Sequence, residues 1–347
     1  MNADVYGECD ARFAAVRLAF AENFATREEH GGAVAVWLDG RLVVDLWGGA
    51  RNEAGTLPWA ADTMVCMMSV VKAVTAWLVH VLADQGRLDL DRPVAHYWPA
   101  FAANGKQAVL VRHVLDHRAG LPALDLSVPP EALYDWPAMV HAIERQPLHW
   151  PPGEVPAYHP VTMGYLAGEL IRIASGLLPG EFLHEAARAL GPLDYHIGVP
   201  AAAHPRCAEL FGNYAGTIFG ASDPASLAYT SIAQIRTASF NTPAFRSAQI
   251  PSINGHGTPR AVATLFGHLA LCRAGRAAAP ISMQAMERAT AQQWHAVEQT
   301  SMQMRRMGLG FILGGEGLAP MPANPRAFGH GGAGGALAFS DPDLGLG

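Results

Sequence analysis

Strand-forming patterns in this chain of 347 residues fall near its two ends, and helical patterns fill the interval between them. After an amphipathic helix over residues 11–24, the stretch GGAVAVWLDGRLVVDLWGG (31–49) reads as two strands joined at Asp39-Gly40, a dipeptide suited to tight hairpins. Strand signals return only at GLGFIL (308–313) and in AFGHGGAGGALAFSDP (327–342). From 69 to about 250 the periodicity is helical: a helix runs from Ser69 to near Gly86, a second covers VRHVLDHRAGLP (111–122), and a third, PVTMGYLAGELIRIAS (160–175), has proline at its first position. A further helix opens at Thr258-Pro259. The expected fold is therefore α/β (α+β): one antiparallel sheet built from both chain ends and flanked by helices, with an all-helical domain inserted. The boundaries are residues 1–68 and 255–347 for the sheet domain and 69–254 for the insertion, and the active site is expected at their junction.

With 50% hydrophobic and 16% charged residues, the chain has ample material for a core and little tendency to disorder. A formal net charge of -6 gives no basic surface for nucleic acid. No run is long enough for a membrane span, and no signal peptide is seen at the N-terminus, so the expectation is a cytoplasmic protein acting on a small molecule. The four cysteines, Cys9, Cys66, Cys207 and Cys272, lack the spacing of a disulfide framework or a zinc site. His113 and His117 stand four apart on an expected helix without an obvious third ligand, so neither metal nor cofactor is expected. Oligomeric state is not legible.

The chemistry concentrates in MMSVVKAVTAW (67–77). Positions three apart share a helix face, so Ser69 and Lys72 point the same way, into whatever that apolar face covers. The chain has only two lysines, Lys72 and Lys106. An amine held away from water loses proton affinity and can take the proton of a neighbouring hydroxyl. Tyr158, in a proline-rich loop before a helix, is a second proton-handling candidate, its ionised form stabilised by the lysine ammonium. The third element is GHGGAGG (329–335), where glycines let a substrate approach strand backbone and leave N–H groups free to donate.

These three elements, in this order, resemble the serine β-lactamase and penicillin-binding-protein superfamily, with S-V-V-K as first motif, Y-H-P in place of Y-x-N and H-G-G in place of K-T-G. The similarity is strongest to the class C-like branch that contains family VIII esterases and β-lactamase-related serine hydrolases. It extends from about residue 31 to the end through DTMVCMMSVVKAVTA, GRLDLDRPVAHYWPAF, VRHVLDHRAGLP, NGHGTPRAVATL and FGHGGAGGALAFSDPDLGLG. The resemblance implies Ser69 as acylated nucleophile, with Lys72 and Tyr158 sharing the base and acid roles in an order the sequence leaves open. It implies an oxyanion hole from the N–H groups of Ser69 and Ala333, a substrate wall from His330, Gly331 and Gly332, and no cofactor.

Two departures bear on substrate. Pro160 replaces an asparagine that holds an amide side chain, and His330 replaces a lysine that attracts carboxylates and is itself largely neutral at pH 7. Both favour hydrolysis of small esters through an acyl-serine over β-lactam or D-amino-acid peptide cleavage; a non-catalytic scaffold of the same fold is the remaining alternative. The resemblance also implies a strand and a helix beyond DPDLGLG, the strand lying mid-sheet. Residues up to Gly347 do not include them, so the expectation is a fragment, or a sheet with an unpaired interior edge and poor stability.

Overall fold

A computed structural model describes residues 4–125, 128–212, 223–236, 238–277 and 279–347. Its first sheet has the order β1-β3-β2, from β1 (Val5–Cys9), β2 (Gly31–Leu38) and β3 (Arg41–Gly49), all antiparallel. Asp39 and Gly40 turn the β2–β3 hairpin with φ of 47° and 95°, the left-handed conformations that a twisted two-residue turn requires. Helix α1 (Ala14–Thr26) lays Phe20 and Phe24 on Val44 and Leu46, and these form one apolar cluster.

At the other end of the chain five strands form a second antiparallel sheet: β7 (Trp294–Val297), β8 (Met304–Met307), β9 (Ile312–Leu313), β10 (Phe328–Gly331) and β11 (Leu337–Ser340), in the order β11-β10-β9-β8-β7. A third, small sheet joins β4 (Val65–Cys66) and β5 (Tyr195–Ile197) to either side of β6 (Gly255–Gly257). Both chain ends thus supply antiparallel strands, but hydrogen bonding divides these into separate sheets rather than one. The helix Pro259–Arg273 spans the division. Its Gly267 lies so close to Trp37 of β2 that a Cβ would stand 2.0 Å from the indole, and its Phe266 carbonyl accepts a 2.6 Å hydrogen bond from Ser340 of β11.

Between β2 and β11 lies a slot of about 370 Å³, lined by Val34, Val36, Phe266, Leu337 and Phe339 among others. Gly347 occupies one end of it, exchanging two backbone hydrogen bonds of 2.8 and 2.9 Å with Trp37.

At the centre stands helix α2 (Val70–Asp84), buried from Val70 to Leu82. An apolar helix buried on every face must be wrapped on every face. The helix Thr162–Ser175 packs along it, and Gly310 (φ +89°) sits where a Cβ would come within 2.1 Å of Ala76. Each buried Val, Leu or Trp on α2 contributes about 1.5–3 kcal/mol of burial free energy. Among the described residues no helix is long and apolar enough to cross a membrane.

Several boundaries differ from expectation. The helix at 111–122 is only Val111–Leu115, because His117 adopts a left-handed φ of 61°; His113 and His117 therefore do not share a helix face. The helix expected from Pro160 begins at Thr162. The strand at 308–313 shrinks to β9, since Gly310 is held against α2, and β1, β7 and β8 carried no alternation strong enough to read.

Candidate active site

Strand β4 delivers the chain to Ser69 through Met68, whose φ of 46° is costly for a side-chain-bearing residue. The bend places Ser69 at the N-cap of α2, and its hydroxyl does not cap the helix. One turn on, Lys72 is wholly buried, and its Nζ has three neighbours: Ser69 Oγ at 3.2 Å, the Pro160 carbonyl at 2.8 Å and the Ser252 carbonyl at 2.7 Å. Every acceptor is neutral. Burial first, and then the nearby Arg305 guanidinium, hold the amine's pKa well below the usual lysine value. A neutral amine here donates its two hydrogens to the two carbonyls and turns its lone pair to the serine hydroxyl.

Tyr158 is 3% exposed and hydrogen-bonds Ser69. Burial pushes its phenol up to about 12, against the lowering effect of Arg305 and of that hydrogen bond. The expectation was an ionised form stabilised by the lysine; the ring centre lies 4.9 Å from Nζ, yet burial raises the phenol's pKa and Lys72 is not among the groups that lower it. The phenol therefore carries its proton at neutral pH.

His330 lies on β10 beside Tyr158, ring centroids 5.9 Å apart. Burial lowers its pKa to about 3, so the imidazole is neutral. Its Nδ1 lies 2.5 Å from the Gly331 carbonyl and must donate to it, leaving Nε2 as an acceptor. Gly332, at the start of the β10–β11 turn, is pressed against the Met67 carbonyl, where a Cβ would stand 2.3 Å from the oxygen. That contact brings Ala333 beside the strand leading to Ser69. The N–H groups of Ser69 and Ala333 find no acceptor among the described residues.

All seven candidate residues thus gather at one place. Ser69, Tyr158, His330, Gly331, Gly332 and Ala333 line a cleft of about 360 Å³ whose other walls include Ile232, Ile235, Ile253, Ile312 and Met321. Lys72 lies beneath its floor. Pro160, which cannot donate from its side chain, serves through its carbonyl on Lys72. Sequence reasoning missed Ser252, whose part is also played by backbone. It missed Arg305 as well, which lines the cleft with its guanidinium 4.8 Å from the Tyr158 ring, and Glu298, fully buried with a carboxylate oxygen 3.8 Å from Arg305 Nε. Nothing in MQMRRMG or VEQTS distinguishes Arg305 or Glu298. Among the described residues no group of three or more His, Cys, Asp or Glu side chains could hold a metal ion.

Known proteins resemble this chain along nearly its whole length. The family profile described as Beta-lactamase matches residues 17–347. Esterase/beta-lactamase LipL of Mycobacterium tuberculosis is 35% identical, over 99% of this chain and 81% of its own length. Among solved structures, a penicillin-binding protein homolog from Caulobacter crescentus superposes with a TM-score of 0.90 at 36% identity, covering 99% of this chain and 92% of that one. A family VIII carboxylesterase gives a TM-score of 0.88 at 33% identity, with the same coverage of both chains.

Proposed function

The chain belongs to the β-lactamase family, and from that premise we propose that it is a serine hydrolase cleaving small carboxylic esters through an acyl-serine intermediate. The observation that carries the reading is the buried, carboxylate-free Lys72 amine 3.2 Å from the Ser69 hydroxyl. An amine in that setting has its lone pair available, which makes Lys72 the acylation base and Tyr158 the acid.

In the first half-reaction Ser69 Oγ bonds to the ester carbonyl carbon while its proton passes to Lys72 Nζ. The carbonyl oxygen takes the negative charge between the Ser69 and Ala333 N–H groups, the former at the positive end of α2. Collapse breaks the bond to the alkoxy oxygen, which leaves as the alcohol with the Tyr158 proton, and the phenol is restored from Lys72. In the second half-reaction water adds to the acyl carbon, gives up a proton by the same route, and releases the acid and Ser69. Two features favour esters over amides. The neutral His330 imidazole supplies no ammonium for a substrate carboxylate, and Pro160 supplies no amide donor. The isoleucine-lined cleft, near the small end of the range for ligand pockets, suits a short acyl chain.

One observation favours a second reading, a β-lactamase or an enzyme acting on D-amino-acid amides or peptides: the Arg305 guanidinium puts a cation in the cleft that His330 does not. A non-catalytic scaffold has no use for a buried amine beside a cleft-lining serine. We further read residues 1–68 and 255–347 as the sheet domain and 69–254 as its insertion, the cleft lying between them. The partner is a small molecule, the reaction calls on no cofactor, and the setting is cytoplasmic.

Intact-protein mass spectrometry after incubation with a fluorophosphonate tests the reading. A single adduct is expected, absent from Ser69→Ala, and hydrolysis of 4-nitrophenyl butyrate should be lost in step with it. No adduct on the unaltered chain would remove the hydrolase reading. Turnover of nitrocefin or a D-alanyl peptide at a higher kcat/KM than the ester would favour the second.

A further inference from the structure

Tyr158 sits in no helix or strand; residues 155–159 are irregular throughout. A donor that must stay on Ser69 therefore needs to be held by something other than a regular hydrogen-bond ladder. What holds it is the connection between β7 and β8. The fully buried Glu298 carboxylate accepts the Tyr158 backbone N–H at 2.7 Å, and the buried Thr300 hydroxyl donates to the Tyr158 carbonyl at 2.7 Å. A third bond, from the Gln299 N–H to the Pro156 carbonyl at 3.0 Å, ties the two segments together.

The grip is itself fixed. The same carboxylate accepts the Thr300 and Ser301 N–H groups, each at 2.8 Å, and the Ser301 hydroxyl, so it is saturated by donors from its own turn and from Tyr158. Arg305, on the β8 arm of this hairpin, supplies the opposite charge and lies over the face of the Tyr158 ring. A carboxylate removed from water, its ion pair with Arg305 no shorter than 3.8 Å, is retained only if hydrogen bonds offset its desolvation, and here the hydrogen bond it makes outside its own turn goes to Tyr158.

We propose that Glu298 and Thr300 are positioning residues that grip both backbone groups of Tyr158 and thereby hold its phenol on Ser69. The proposal rests on the hydrolase reading above and adds to it a part for the β7–β8 hairpin, which touches no reacting atom. The isoleucine walls of the cleft stand on other segments, so the effect belongs in kcat more than in KM.

The test uses the full chain with active sites counted by fluorophosphonate labelling, so that misfolded protein does not enter the rates. Thr300→Val, which keeps the shape and deletes the hydroxyl, should lower kcat per labelled site at least about tenfold with KM within about threefold, and Thr300→Ser should restore it. Glu298→Gln should act in the same direction and more strongly. In a Tyr158→Phe background, Thr300→Val should cost nothing further, because its effect passes through that phenol; a merely structural role would be additive. Hydrogen exchange of a peptide covering 155–159 should quicken at least about tenfold in Glu298→Gln. Wild-type kcat per labelled site in both variants, or full additivity with Tyr158→Phe, overturns the proposal. If Ser69 does not label at all, the hydrolase reading has failed separately, and unchanged exchange at 155–159 then overturns the grip itself.

Discussion

Lys72 can serve as base only while unprotonated, and the pH dependence of turnover follows from that. With its pKa held well below 10.5 by burial and by Arg305, kcat/KM should rise through the depressed value and reach a plateau well short of pH 10. The Tyr158 phenol stays protonated until about 12, so it should impose no fall before pH 10. Initial rates between pH 6 and 10, with fluorescence recorded alongside to exclude unfolding, check this; a rate still climbing at pH 10 as for an ordinary lysine would sink the assignment. Lys72→Met should lower kcat by about 10²–10⁴ and abolish the rising limb. At this scale the sequence was informative where the proposed chemistry calls for a particular side chain: Ser69 and Lys72 stood out by their spacing, and Tyr158 through the resemblance. The carbonyls of Pro160 and Ser252 could not, since any residue offers a carbonyl and only the fold decides where it points.

In the proposed mechanism an element, the β10–β11 turn, rather than a single residue, builds the oxyanion site. Its glycines are not equivalent. A Cβ on Gly332 would meet the Met67 carbonyl at 2.3 Å, whereas one on Gly335 (φ +95°) would meet nothing within 4 Å. Gly332→Ala must push the turn away from the strand before Ser69 and carry the Ala333 N–H with it, so kcat is expected to fall by about 10²–10³, the cost of one oxyanion donor. Gly335→Asn strains only the backbone and should cost about 1 kcal/mol of stability while keeping most activity. Steady-state kinetics and thermal melts of the two variants decide; equal activity in both would show that Ala333 does not donate. The hairpin was legible because glycine clusters and apolar alternation announce it. The β7–β8 hairpin was not, because WHAV and MRRM mix polar and apolar residues without a clear period, although this is the element that grips Tyr158.

For the molecule as a whole, the price of burying so much polar machinery should appear in acid. His80, His159, His256 and His330 are all buried, and burial lowers their pKa values to about 4, 3, 4 and 3. In the unfolded chain each titrates near the ordinary 6.5. Below that pH the unfolded state binds protons that the native state refuses, so stability falls as pH drops, and the loss continues until the native values are reached. At pH 5 each contributes a loss of about 2 kcal/mol, or about 8 kcal/mol for the four, which rivals the ~5–15 kcal/mol by which a domain is stable at all. Asp116, whose carboxyl is raised by burial, acts in the opposite sense and offsets part of this loss. Cooperative unfolding, followed by tryptophan fluorescence at fixed temperature, is therefore expected between pH 6 and 4.5, with no gain in stability from pH 7 to 8. A thermal midpoint unchanged from pH 7 to 5 would mean that these imidazoles can be charged within the native fold, and the neutral His330 on which the preference for esters rests would lose its support.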